Sequence, residues 1–377
     1  MIDRPPFTIG IEEEYLVVDR ETRDLMNDPP PELWDSLREV LGSQVTPEFL
    51  KAQIEVGTKV CAKLSEARED LATLRRDLSR VVSEYGAAII ASSTHPFANW
   101  SEQMTTEQPR YQRVAADHQQ VARQMVICGM HVHVGIDDDH LRIDLMNQVR
   151  YMLPHLLALS TSSPFWAGTD TGLLAYRLII FRNLPRTGAP EEFESWGEYQ
   201  RTVQILVDAG IIEDASKLWW DIRPSARYPT LEMRVSDVCT RLDDAMSVAA
   251  LYLCLLGFLF RLRRRNQRWR VYSPFLISEN MWRAQRYGVD GTLIDFGRGE
   301  LVQFADLIEE AIEMVAQDAV EFDVVDQLRH SRTIVRDGTS AHRQLAVHKE
   351  ALEAGAGEHE ALQAVVDHLI EDTLFGI

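Results

Sequence analysis

The sequence predicts an α+β fold in which a mainly antiparallel sheet carries helices on one face. Its strand-like runs alternate polar with apolar side chains instead of being uniformly hydrophobic, the pattern of a sheet with a single buried face. Helices or hairpins separate these runs without the regular strand–helix rhythm of a parallel sheet. The 377 residues, 45% of them hydrophobic, can bury a large core, and no composition break or internal repeat divides them. Residues 1–377 are therefore expected to form one domain, mainly helical beyond about residue 300.

The first strand is expected at residues 9–18, Ile-Gly-Ile-Glu-Glu-Glu-Tyr-Leu-Val-Val. Side chains two apart in a strand share a face, so Glu12 and Glu14 project together. Glu13 points to the apolar side and needs a buried cationic partner or a place at the strand's edge. Gln53-Ile54-Glu55-Val56 reads as a further strand. Residues 63–85 carry Leu64, Ala67, Leu71, Leu74, Leu78, Val81 and Tyr85 at steps of three and four, the stripe of an amphipathic helix. Residues 87–91 read as a strand that enters the turn Ser92-Ser93-Thr94-His95-Pro96, where His95 is expected to serve the turn rather than to ligate.

Residues 110–125 are polar and expected to be helical, leading into the strand Met130-His131-Val132-His133-Val134-Gly135. A helix is expected at 144–159, and a strand at 176–181 that ends in a loop broken by Pro185 and Gly188. After a helix at 193–209, residues 219–224 approach the strand Thr230-Leu231-Glu232-Met233-Arg234-Val235. Residues 245–260 are almost wholly apolar and are followed by Arg261, Arg263, Arg264 and Arg265. A membrane span needs about 20 apolar residues, so a buried helix under the sheet is expected, its arginines at the solvated C-terminal end where the helix dipole favours cations. An anion-binding role for that cluster is the less favoured reading. Helices are expected at 301–320 and 343–375, with a glycine-containing break at 336–339.

The net charge of −19 argues against nonspecific nucleic-acid binding. Cys61, Cys128, Cys239 and Cys254 are scattered, without a Cys-x-x-Cys pair, so neither a disulfide framework nor a structural zinc site is indicated and a cytoplasmic location is expected. No secretory signal is expected, because residues 1–6 reach the first strand too soon to hold a signal's apolar region.

If these strands share one sheet, its polar face bears Glu12, Glu14, Glu55, His131, His133, Glu232 and Arg234. Glu12, Glu14, Glu55 and Glu232 suit Mg2+, and a histidine among them admits Mg2+ or Mn2+. Several carboxylates on one face repel one another unless cations bind, which points to bound metal and leaves room for more than one ion. Arg234 is suited to neutralising charge on a moving phosphoryl group. The plain alternative is a solvated face, although such a face would normally mix Lys, Thr, Gln and Ser with acids. There is no Gly-x-x-x-x-Gly-Lys loop and no Gly-x-Gly-x-x-Gly turn, so bound ATP would depend on metal and arginines. His-Glu-x-x-His and Gly-x-Ser-x-Gly are also absent.

At these stretches the chain resembles the ATP-dependent carboxylate–amine ligases of the glutamate-cysteine ligase type 2 family. The likeness rests on Thr8-Ile9-Gly10-Ile11-Glu12-Glu13-Glu14-Tyr15, Gln53-Ile54-Glu55-Val56, Cys128-Gly129-Met130-His131-Val132-His133-Val134-Gly135 and the run 219–237. Thr94-His95-Pro96, 182–190 and 338–344 extend it over nearly the whole chain. The resemblance implies a cup-shaped sheet with helices on its outer face, similar to the glutamine synthetase catalytic domain, with ATP and Mg2+ on the concave side. It implies metal ligation by Glu12, Glu14, Glu55, His131 and Glu232, and phosphoryl contact by Arg234. Glu48 falls where other glutamate–cysteine ligases have an acidic ligand, whereas His133 stands where they tend to carry Asn.

The implied chemistry is ATP-dependent amide formation through an acyl phosphate, with glutamate as carboxylate and cysteine as amine, a reaction type 2 members perform weakly. Arg182 or Arg223 would bind the substrate carboxylate through a bidentate pair, with a structural ion pair the equal alternative for Arg223. A homodimer is also implied, without nucleic-acid or membrane partners. The rivals are a metal-dependent amidohydrolase, suggested by His131-Val132-His133, and a non-catalytic metal- or nucleotide-binding protein.

Overall fold

The structure, a computed structural model, describes residues 3–377 apart from the Arg110 side chain. Seven strands form its main sheet: β1 (Ile9–Asp19), β2 (Val45–Pro47), β3 (Gln53–Gly57), β4 (Ala87–Ile90), β5 (Met130–Gly135), β6 (Ile222–Pro224) and β7 (Thr230–Met233). Their order is β6-β7-β5-β1-β3-β2, with β4 paired to the second half of β1, and every ladder is antiparallel. The expected class and pairing sense are therefore observed. Register follows the alternation: Ile9, Ile11, Glu13 and Tyr15 are buried, while Gly10, Glu12 and Glu14 on the opposite face are half-buried.

Helices cover the apolar face. Leu64–Ser83 inserts the predicted leucine stripe into the core, with Tyr85 half-buried just beyond its end. The helix also carries Arg75, which meets Glu13: Nη2 lies 2.7 Å from Oε1 and Nε 2.8 Å from Oε2, with both side chains 0% exposed. Glu13 thus has the buried cationic partner its inward position demands. Leu242–Arg264 is long and apolar enough to cross a membrane, yet 89% of its most apolar window is buried within the fold. Its Tyr252 hydroxyl donates to the Leu231 carbonyl of β7, 3.1 Å away, which fixes the helix beneath the sheet. At its end Arg261 pairs with Asp318 and Arg263 with Asp144, at 2.7 and 2.5 Å.

Several expected elements differ. Residues 177–181 form a short helix, Arg177–Phe181, not a strand. A run this short, apolar except for Arg177, has no period to separate the two states, and here the buried Arg177 guanidinium reaches the carbonyls of Arg234, Val235 and Ser236, so tertiary contacts decide. The helix expected at 144–159 is two, Asp139–Val149 and Leu153–Ser160, joined by a 3-10 turn. Asp138 caps the first by accepting from the Leu141 N–H, and Pro154 lies in the first turn of the second, where its missing N–H leaves no bond unmade. Residues 300–303 belong to a hairpin with Thr292–Asp295, followed by helices Phe304–Met314 and Ala316–Glu321. The last helical stretch divides into Ser340–Glu353 and Glu358–Thr373 around Gly355, whose φ of 96° suits glycine.

Candidate active site

The polar face of the sheet floors a cavity of about 310 Å³. Its walls come from Phe49, from Tyr111 and Val114 of helix Pro109–Arg123, from Phe181, and from Trp219 and Tyr228. The ladders set the floor. Glu14 pairs with Glu55 across β1–β3, Glu12 with His131 across β1–β5, and Glu232 with His133 across β7–β5. Directly opposed side chains are neighbours, so three ladders assemble one constellation from sequence-distant segments. Glu12, Glu14, Glu55, His131, His133, Glu232, Arg223 and Arg234 all line the cavity, as does Glu48.

Two overlapping groups have the spacing of metal ligands. Glu12, Glu55 and His131 offer donor atoms within 4.8 Å of one another, as do Glu14, Glu48 and Glu55. Glu55 belongs to both. His131 Nδ1 lies 3.2 Å from Glu12 Oε2 and its Nε2 3.8 Å from Glu14 Oε1, while His133 Nε2 stands 3.5 Å from Glu12 Oε1. Both Nε2 atoms are buried without a hydrogen-bond partner. Carboxylate oxygens beside unpartnered imidazole nitrogens fit a hard or borderline divalent cation such as Mg2+ or Mn2+.

The electrostatics fit as well. Burial, reinforced by Glu48, Glu12 and Glu14, pushes the Glu55 carboxyl well above the usual range, so without a cation it tends to keep its proton. Glu12 is driven the other way: burial opposes its charge, but hydrogen bonds with His131 and His133 hold it well below the usual carboxylate range. Burial and the Arg234 charge lower the His131 pKa and favour the neutral ring that ligation requires. The Gly129 N–H donates to Glu14 Oε2 at 2.7 Å and the Thr46 hydroxyl to Glu55 Oε1 at 3.0 Å, orienting both carboxylates.

Glu232 stands in a different setting. Arg223 grips it in a fork, with Nε and Nη2 3.0 and 3.1 Å from its oxygens, and Arg234 contacts it closely. Burial opposes its ionisation, but the two guanidiniums hold its pKa well below the usual range. Glu232 falls outside both ligand groups and anchors Arg234, whose Nη1 also lies 3.3 Å from His131 Nδ1. Arg223 additionally donates to the carbonyls of Ser216 and Leu218, at 2.9 and 2.6 Å, so its ion-pair alternative describes its geometry. Arg182 lies outside the cavity lining, 3.7 Å from the buried Asp221. His95 serves its turn: Nδ1 accepts from the Phe97 and Ala98 N–H groups and Nε2 lies 2.9 Å from the Arg23 carbonyl.

Sequence reasoning passed over three cations that line the cavity, Arg177, Lys217 and Arg227. Arg177 left no signal within its apolar run. A Cβ on Gly129 would collide with its guanidinium, so glycine before β5 leaves the space that Arg177 occupies.

Residues 8–368 match the glutamate-cysteine ligase family 2. A Rhodospirillum rubrum protein provisionally named glutamate–cysteine ligase 2 is 60% identical over 374 residues, covering 98% of this chain and 96% of its own length. A Jannaschia protein with the same provisional name is 52% identical over 366 residues, covering 97% and 96%. A solved bifunctional glutathione synthetase from Pasteurella multocida superposes with a TM-score of 0.70 at 13% identity, over 97% of this chain and 52% of that one, so this chain spans only about half of it. A glutamate–cysteine ligase from Francisella tularensis, in complex with AMP, gives 0.68 at 14% identity over 99% and 90%. These two likenesses concern the fold. The family match over nearly the whole length and the relatives of equal extent together show that the chain belongs to the glutamate-cysteine ligase family 2.

Proposed function

We propose that this protein is an ATP-dependent carboxylate–amine ligase that joins a small carboxylate, first of all glutamate, to an amine such as cysteine through an acyl phosphate. The observation that carries the proposal is the carboxylate and imidazole floor with Arg234 beside it. Glu12, Glu14, Glu48, Glu55 and His131 would hold divalent cations, which supply positive charge to the phosphates of ATP. Arg234, held by Glu232, presents a fixed guanidinium to the phosphoryl group in transfer. Arg223 keeps Glu232 in place, and Lys217 and Arg227 are the remaining cavity cations able to receive a substrate carboxylate, Arg177 being committed to the carbonyls of Arg234, Val235 and Ser236.

In the reaction, a carboxylate oxygen attacks the γ-phosphorus and ADP leaves. The amine nitrogen then attacks the acyl carbon, loses a proton, and phosphate departs with one carboxylate oxygen. The cavity chiefly needs to position the reactants and exclude water. The continuous core from Phe7 to Leu369 supports reading the chain as one catalytic domain. Its four buried thiols, all outside disulfides, support a cytoplasmic setting.

The test is ADP release from Mg-ATP, glutamate and a panel of amines, with Glu55→Gln as control. ADP formation is expected only when carboxylate and amine are both present, and it should collapse in Glu55→Gln. Amide hydrolysis without ATP would overturn the proposal in favour of an amidohydrolase.

A further inference from the structure

A second cleft, of about 520 Å³, adjoins the active cavity. Residues 225–228, in the loop between β6 and β7, line both spaces and form a common wall. The turn Ala215–Lys217 divides them again, with Ala215 lining the cleft and Ser216 and Lys217 the active cavity. Helix Trp196–Asp208 contributes Trp196, Tyr199, Gln200 and Val203 to the cleft. The proposed ligase reaction uses none of these four side chains.

Two polar groups of the cleft are buried with bonding capacity left over. Arg142, 6% exposed, pairs with Asp139 through Nη2 and reaches the Tyr228 carbonyl through Nη1 at 3.5 Å, its guanidinium 5.3 Å from the Trp196 ring centroid. Its Nε is buried with no hydrogen-bond partner among the described residues. Tyr199, 4% exposed, packs its ring against Trp196 and Phe193, but no hydrogen bond among the described residues engages its hydroxyl. Burial pushes the pKa of that hydroxyl up to about 12, so it stays a neutral donor at physiological pH. Buried donors left unmet are unfavourable, and a ligand that accepts from both relieves them.

A third group has the opposite sign. Asp214 lines the cleft, and hydrogen bonding from Ser216, whose N–H lies 2.7 Å from Oδ1, holds its carboxyl below the usual range and therefore ionised at neutral pH. Val203 and Trp196 add apolar surface. Two donors, one anionic acceptor and an apolar wall match a zwitterion with an apolar side chain, its carboxylate on Arg142 and Tyr199 and its ammonium on Asp214. Phosphate would meet the Asp214 charge as well as the donors and would leave the apolar wall uncovered.

We propose that this cleft binds a free amino acid with an apolar side chain, at a site separate from the metal-binding floor. Its size lies within the usual range of small-molecule sites.

Calorimetric titration of the full chain tests this with L-leucine, with L-leucinamide, which lacks the carboxylate, and with N-acetyl-L-leucine, which lacks the ammonium group. L-Leucine is expected to bind, and each derivative at least about tenfold more weakly. Tyr199→Phe should weaken L-leucine at least about threefold through the lost hydrogen bond. Val203→Trp fills the cleft and should abolish binding, with Gln200→Trp filling it from an exposed position if melting curves show that Val203→Trp does not fold. Binding should persist in Glu55→Gln, which alters only the metal floor. Absence of L-leucine binding would overturn the proposal, as would equal binding of the two derivatives, binding that survives the folded filling variant, or binding lost in Glu55→Gln. The titration reads binding without turnover, so failure of the proposed ligase reaction would leave its outcome intact.

Discussion

Removing the cation that holds Glu13 tests how the fold builds its active face. In Arg75→Met, the Glu13 carboxylate stays in the core at 0% exposure without its two charge-assisted bonds at 2.7 and 2.8 Å. The carbonyls of Cys239, Thr240 and Thr373 also lose the donor that reaches them at 2.9, 2.6 and 3.2 Å. Breaking a buried pair from one side costs about 3–5 kcal/mol. At about 2.1 cal/mol/K of unfolding entropy per residue, 377 residues correspond to about 0.8 kcal/mol/K, so the melting temperature should fall by about 4–6 °C. The loss should extend to function, because Glu13 pins β1 between Glu12 and Glu14, and a one-residue slip would turn both from the cavity. The assay is calorimetry of the wild type, Arg75→Met and Glu13→Gln/Arg75→Met, each with and without Mn2+. The double variant removes the orphaned charge and should recover part of the loss. A single variant within about 1 °C of the wild type, or a double variant no better than the single, would refute the reasoning.

Three further outcomes are expected. Glu55→Gln removes a carboxyl that has to take up a proton on folding when no cation is bound, so it should raise the melting temperature of the metal-free protein by about 1–2 °C in EDTA at neutral pH while abolishing the stabilisation produced by added Mn2+. Arg234→Lys loses the fixed planar fork and should lower ligase turnover by about 10²–10³-fold, with Mn2+-induced stabilisation retained in the same melts. Burial depresses the His95 pKa from 6.5 to about 4, so the folded state keeps the ring neutral while the unfolded chain protonates below 6.5. The stability His95 contributes is therefore full above pH 6.5 and lost as pH falls toward 4, and urea titrations of His95→Asn should show a flatter decline over that window than the wild type.

The strands of the active face were legible because alternation survives in a half-buried sheet. Glu12, Glu14, His131 and Glu232 announced their shared side by spacing, and Glu13 announced its inward one. Its partner was not named from the sequence: Arg75 lies on the Leu71–Leu74–Leu78 face of the amphipathic helix, but only the folded packing brings that face against Glu13. Arg177 was not legible either: its run has no period, and the helix exists because a guanidinium binds three carbonyls far along the chain. The division of labour among the acids was also hidden. Alternation places Glu232 on the same face as Glu12, but only the folded hairpin shows Arg223 and Arg234 closing on it.

The most direct test of the proposed chemistry is isotopic. Glutamate labelled with 18O in its reacting carboxylate, incubated with the enzyme, ATP, Mg2+ and a productive amine, should yield inorganic phosphate carrying one labelled oxygen per amide formed. Unlabelled phosphate accompanying full amide formation would contradict the acyl-phosphate route and, with it, the role assigned to Arg234.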